Sequence, residues 1–349
     1  MRTPCLVRSV TPAGDLNVQL GHPLLDDYLA FVAARARPNT VLATAFDLKV
    51  FFEWVKKEPR RITQADVIDF VAVQRAPRSN VVRLSDGGGG LTPATVARRL
   101  STLSGLFAYL VARGDAGVSA NPVPRGLATR RARRNGGRPA PLVRRERRLP
   151  RILEPADVDA LFAALRTVRD RAMVEAMVLG GLRRCEVLGL RLEDLRLGEH
   201  RVFVAEGKAG RQRVVPISPR FFATVATYLD TERPTDARTE RLFVVLKGPN
   251  RARPLSSEGL DEILDGARGR AGLAHGTCHE LRHTCLTRLR EAGMALEAVQ
   301  AQAGHRSIET TRIYLHLADD WLAGEYRRAS EAIDAQATVA APKGRRPRR

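Results

Sequence analysis

Five of the chain's seven histidines, His275, His279, His283, His305 and His316, fall within the 42 positions from 275 to 316. Imidazoles gathered this closely mark a stretch for chemistry rather than packing. Two chemistries fit. HELRH at 279–283 has the form H-E-x-x-H, which on a helix puts two imidazoles on one face to grip zinc while Glu280 activates water. The extended zinc motif needs Gly and His at later positions where Leu286 and Leu289 stand, so a third ligand would have to come from a distant residue such as Glu309. The second chemistry uses Arg282, which a zinc hydrolase does not need. His279 and Arg282 are i and i+3, so both can face one anion. Downstream, GHRSIETTRIY (304–314) sets Tyr314 nine residues after His305, with Ser307 and the ETT segment starting a short helix between them. A phenol, two imidazoles and an arginine within 36 residues suit attack on a phosphodiester. Cations must then stabilise the phenolate, whose ordinary pKa is about 10.

Such residues must be held by helices. Apolar periodicity predicts four of them in the front of the chain, at 22–34, 38–57, 62–75 and 92–113. Thr40, Thr63 and Thr92 stand where N-caps are expected, and Thr63 with Asp66 forms a capping-type start. SDGGGG (85–90) interrupts the last two helices as a loop. Residues 125–151 carry eleven Arg and one acid, Glu146, broken by Gly and Pro. This reads as an extended, self-repelling linker that contacts phosphate. Helical pattern returns from 154 through LEDL, and HRVFVAEG (200–207) and RQRVVPIS (211–218) then read as a hairpin around Lys208-Ala209-Gly210, with FVVL (243–246) as a third strand. Further helices are expected at 218–230, 256–272, 278–292, 295–303 and 307–316, before a basic tail.

Composition narrows the partner. The 349 residues hold 58 Lys+Arg against 38 Asp+Glu, a formal charge of +20, which favours a polyanion, most commonly nucleic acid. Only six of the 58 are Lys. No apolar run of about 18 residues predicts a membrane helix, and the start, MRTPCLVRSVTPAGD, carries no secretory pattern. Cys5, Cys185, Cys278 and Cys285 form no CxxC pair, so a reduced, cytoplasmic protein without a cysteine metal site is expected, with Cys185 as small buried packing.

Four segments together resemble the motifs of the tyrosine recombinases, the phage integrase family, in order and separation: GGLRRCEVLGLRLEDL (180–195), GKAGRQRVVPIS (207–218), HELRHTCLTRLREAG (279–293) and GHRSIETTRIYLHL (304–317). The resemblance spans roughly residues 20–330 and implies a mainly α, two-domain fold with a small antiparallel sheet in the C-terminal domain. It divides the chain into an N-terminal extension (1–19), a helical core-binding, SAM-like domain (20–117), the Arg-rich linker (118–151), a catalytic domain (152–335) and a disordered basic tail (336–349). It also assigns six catalytic residues: Arg183 and Arg282 on phosphate oxygens, Lys208 in the hairpin turn, His279 and His305 beside the phosphate, and Tyr314 as nucleophile. Arg184-Cys185 and Cys285 stand where other residues are more usual. The implied activity is site-specific recombination of double-stranded DNA through a 3′-phosphotyrosyl link, without ATP, metal or cofactor, by a homotetramer on two DNA sites. The segment ADDWLAGEYRRASEAIDA would dock on a neighbouring subunit. A type IB topoisomerase or a non-catalytic DNA-binding regulator are the rival functions. Taken singly, Arg183 is also explained by a helix-surface pair with Glu186, and His283 by a structural hydrogen bond.

Overall fold

The computed structural model describes residues 3–10, 16–77, 89–124, 126, 141–144, 150–205, 212–305, 311, 326–327 and 330–331. The chain separates into two compact units, Met1–Arg147 and Arg148–Arg349.

The first unit opens with strands β1 (Val7–Val10) and β2 (Leu16–Gln19), paired antiparallel with Val7 opposite Gln19. Part of the stretch set apart above as an extension is thus integral to the unit: Val18 and Leu20 are buried, and β2 packs on α1 (Pro23–Ala33) and α2 (Pro38–Val55). The four expected helices are completed by α3 (Gln64–Arg75) and α4 (Pro93–Arg113). Thr63 and Asp66 form a full capping box, with Asp66 accepting from the Thr63 N–H at 2.9 Å. Thr92 caps α4 by accepting from the Thr95 N–H at 3.2 Å. Thr40 is not a cap. Pro38 begins α2 two residues earlier, because its fixed φ and missing N–H suit the first helical position. Leu29, Leu48, Phe51, Phe70, Leu103 and Phe107 fill the core, which Leu142 and Val143 join from its edge. The rest of the Arg-rich stretch lies mostly outside the described residues.

The second unit is built around α6 (Val168–Val178), whose residues 172–178 are all buried. It follows α5 (Pro155–Ala164) and packs against α8 (Pro219–Thr231) and α10 (Cys278–Glu291). The remaining helices are α7 (Arg184–Gly189), α9 (Ser257–Arg270) and α11 (Leu296–Ala303). A three-stranded antiparallel sheet runs in the order β3 (Leu195–Arg196), β4 (Arg201–Val204), β5 (Arg213–Pro216). The expected hairpin is present, with Val202 opposite Val215 and both side chains buried. The third strand differs from expectation. Residues 195–196 supply it, whereas 243–246 contribute one isolated bridge between Val244 and Pro254. Leu242, Phe243 and Val244 are buried instead as an extended core segment held by Tyr228, whose hydroxyl donates to the Leu242 carbonyl at 3.1 Å. A continuous apolar run buries equally well inside or outside a ladder, so pattern alone does not choose. The expected helix at 307–316 lies outside the described residues except for Thr311, which is helical.

Candidate active site

Arg183 sits at the N-cap of α7, after a Gly180-Gly181 turn. Gly181 has φ +66°, a conformation that costs other residues energy, and its carbonyl thereby turns toward Arg282, which donates to it. Arg183 donates through Nη1 to Glu186 Oε1 at 2.7 Å and through its backbone N–H to Glu186 Oε2 at 2.9 Å. The helix-surface pair considered above therefore exists, but Glu186 is buried rather than on the surface. Arg213, on β5, meets the same carboxylate as a fork, with both contacts at 2.9 Å, and Arg282 Nη1 lies 3.9 Å from it. Burial pushes the Glu186 carboxyl up, but the Arg213 and Arg183 contacts outweigh this and hold it down at about 2.

A capping box at the start of α10 positions the next two candidates. Glu280 Oε2 accepts from the backbone N–H groups of Thr277 at 2.8 Å and Gly276 at 3.0 Å, while the Thr277 hydroxyl accepts from the Glu280 N–H at 3.3 Å. That use of Glu280 leaves its carboxylate committed to the helix end rather than to activating water. His279 stands exposed on the first turn and Arg282 is buried one turn on. Arg282 Nη2 donates to the Ala303 carbonyl at 2.6 Å and lies 3.3 Å from His305 Nε2. Arginine has only donors, so His305 Nε2 accepts and its Nδ1–H donates to Thr311 Oγ1 at 3.0 Å. His279 and His283 meet edge to face with their Nε2 atoms 2.8 Å apart, which gives His283 the structural hydrogen bond expected of it.

The arginines and burial keep these imidazoles neutral. Burial, Arg282 and Arg183 lower His279; burial, His279 and Arg282 push His283 down to about 4; burial, Arg282 and Arg183 do the same to His305. The C-terminal end of α11 aims His305. Gly304 ends the helix in the left-handed region, and the Gln300 side chain donates to the His305 carbonyl at 3.1 Å.

A cleft of about 600 Å³ is lined by Arg183, Cys185, Asp261, Thr277, His279 and Arg282 among others. Cys185 is exposed there, which corrects the expectation that it packs in the core. As the second helical residue of α7, it follows Arg183 on the turn that faces the opening, while Glu186 and Val187 take the buried side. Burial and Asp261 push the Cys278 thiol up to about 12, so it remains protonated.

Arg183 and Arg282 are therefore gathered at Glu186, with Arg282 hydrogen-bonded to His305, and His279 shares a cleft with both arginines. Lys208 and Tyr314 lie outside the described residues. Sequence reasoning missed Arg213, Gln302 and Thr311, and saw Glu186 only as a surface partner. The Gln302 amide donates to the Gly180 carbonyl at 2.9 Å and the Pro216 carbonyl at 3.0 Å, tying α11 to the glycine turn and the end of β5. The one available signal was the Arg183-to-Glu186 spacing of three at a helix start; the other partners come from distant segments.

The phage integrase family profile matches residues 151–320, and the profile of the phage integrase N-terminal SAM-like domain matches residues 25–114. A tyrosine recombinase XerC of Roseiflexus castenholzii is 33% identical over 296 residues, covering 80% of this chain and 83% of the relative. A tyrosine recombinase XerD of Listeria monocytogenes is 29% identical, covering 84% and 94% respectively. The chain belongs to the phage integrase family and is a tyrosine-type site-specific recombinase. Among solved structures, the XerH site-specific recombinase bound to palindromic difH substrate aligns with a TM-score of 0.63 at 20% identity, covering 86% of this chain and 83% of that one. A lambda integrase dimer bound to a COC′ core site aligns at 0.59 and 19%, covering 86% and 95%. These show the shared two-domain fold. No helix among the described residues is long and apolar enough to cross a membrane.

Proposed function

We propose that the cleft seats the scissile phosphate of duplex DNA and that Tyr314 attacks it. The observation that carries this is the gathering of Arg183, His279 and Arg282 on one cleft, two guanidinium forks beside one exposed imidazole. Arg183 and Arg282 donate to the nonbridging oxygens, where charge builds as phosphorus becomes five-coordinate. His279, neutral at pH 7, takes the Tyr314 proton. The bond from phosphorus to the 5′ oxygen breaks, Lys208 protonates that oxygen, and a 3′-phosphotyrosyl ester remains. The ester conserves the energy of the broken bond, so another strand's 5′-hydroxyl can reverse the step without ATP. In the free protein His305 Nε2 accepts from Arg282. A phosphate anion at the cleft raises the His305 pKa, and the protonated ring then donates to the phosphate as well. The arginines supply the electrophilic work, and the reading assigns none to a metal.

The XerH and lambda integrase neighbours were solved on DNA, and one lambda integrase structure is a tetramer bound to a Holliday junction. Those likenesses, with the charge of +20, support double-stranded DNA as partner and a homotetramer on two sites, acting in the cytoplasm. The domain limits given above, with strands β1 and β2 joined to the first domain, are part of the same proposal. The test is a nicked suicide duplex drawn from DNA flanking the gene, incubated with the full chain in EDTA. Wild type gives an SDS-resistant protein–DNA adduct and Tyr314→Phe gives none. An adduct that survives in Tyr314→Phe, or one that needs divalent metal, refutes the assignment.

A further inference from the structure

We propose that Arg213 is a positioning residue for strand cleavage, one that balances the charge of Glu186 so that Arg183 and Arg282 keep theirs for the phosphate. The proposal rests on the recombinase reading above. Four observations carry it. Arg213 holds the Glu186 carboxylate through both Nη atoms at 2.9 Å, and its own side chain is only 13% exposed. Glu186 is also the partner of Arg183 and lies near Arg282. Arg213 Nε donates to the Gln302 carbonyl at 3.3 Å, one turn before His305. Gly304 leaves the space the guanidinium occupies, because a Cβ there would sit 3.0 Å from Arg213 Cζ and Nη1. One side chain thus links β5, α7 and the end of α11, each of which carries or adjoins a candidate catalytic residue.

The charge count explains why an arginine is useful at this place. Glu186 with Arg183 alone is a neutral pair, and a neutral pair attracts phosphate weakly. Adding Arg213 restores one positive charge, and Arg282 brings the group to two. A buried carboxylate lacking Arg213 would instead draw Arg183 and Arg282 toward itself and away from the cleft. Its fork also fixes the carboxylate in one orientation, which in turn fixes the direction of Arg183.

The experiment measures the single-turnover rate of adduct formation on the suicide duplex, together with DNA affinity and melting temperature, for the full-length protein. R213Q should slow cleavage about 10- to 100-fold with DNA affinity within about threefold, the split expected when a transition-state contact is misaimed. R213K keeps the charge but loses the fork, and should fall between R213Q and wild type. E186Q/R213Q removes both charges and should cleave at least about fivefold faster than R213Q, since no uncompensated carboxylate is left to hold Arg183. A rate for R213Q equal to wild type overturns the proposal. So does a double variant no faster than R213Q, which would make Arg213 a structural brace. If R213Q does not fold, R213K decides: slowed cleavage with unchanged affinity supports the proposal, and the wild-type rate overturns it. Wild type that forms no adduct would instead overturn the recombinase chemistry on which the proposal rests.

Discussion

Glu186→Gln tests whether the arginine group is as tightly organised as its geometry implies. In the folded chain the Glu186 carboxyl is held near 2, against an ordinary value of 4.5. Each pKa unit corresponds to about 1.4 kcal/mol, so ionised Glu186 contributes about 3 kcal/mol of stability. The folded pKa is the depressed one. That contribution is therefore complete above pH 4.5 and is lost as pH falls toward 2. Glutamine keeps the shape and loses the charge, so the variant should be about 3 kcal/mol less stable at pH 7, which for a unit of this size is roughly 6–12 °C in melting temperature. The gap between wild type and variant should narrow steadily below pH 4.5 and close near pH 2. Scanning calorimetry of the full chain across pH 2–8 reads this difference, following the transition that the substitution lowers. Other carboxylates titrate in the same range, but they are common to both proteins and cancel in the comparison. Wild-type and variant curves that run parallel down to pH 2 would refute the reasoning, because they would mean that Glu186 titrates normally and is not gripped by Arg213 and Arg183.

Two further outcomes are expected. Thr277→Ala removes one half of the box that starts α10 and should cost about 1 kcal/mol, with cleavage slowed more than DNA binding because the first turn carries His279; equal loss in both would show that the cap serves stability alone. In the DNA-free protein, imidazole NMR titration should place His283 and His305 near pH 4 and His279 below 6.5. Because these folded values are depressed, the stability they carry is present above pH 6.5 and is lost as pH falls toward 4. Midpoints at or above 6.5 would show that these rings are not buried beside the arginines as described.

How much was legible in advance differs between the helices and the site. The four front helices were visible in their apolar period, because a helix packs one stripe and the stripe shows in the order of residues. His279 and Arg282 could be placed together on one helix for the same reason. The positive φ of Gly181 and of Gly304, by contrast, emerged only from the structure. Some local choices also went the other way: Arg37, not Thr40, stands at the N-cap of α2, whose start at Pro38 was as expected, and residues 195–196 displaced 243–246 in the sheet.

The electrostatics of the site were decided by the tertiary structure. Arg213 reaches Glu186 across 27 residues, and Arg183 reaches the Gly304 carbonyl across 121. Nothing in local spacing connects these positions. Arg183 was legible as a cation in a motif, yet whether Glu186 would neutralise it depended on Arg213 arriving from β5. Likewise His305 was legible as a histidine near a tyrosine, but which of its nitrogens carries the proton depends on Arg282 from α10. Helix periods are set by contacts between neighbours in the chain, and so the sequence alone specified them. A buried charge is set by what surrounds it in space, and its surroundings exist only once β5, α7, α10 and α11 have packed together.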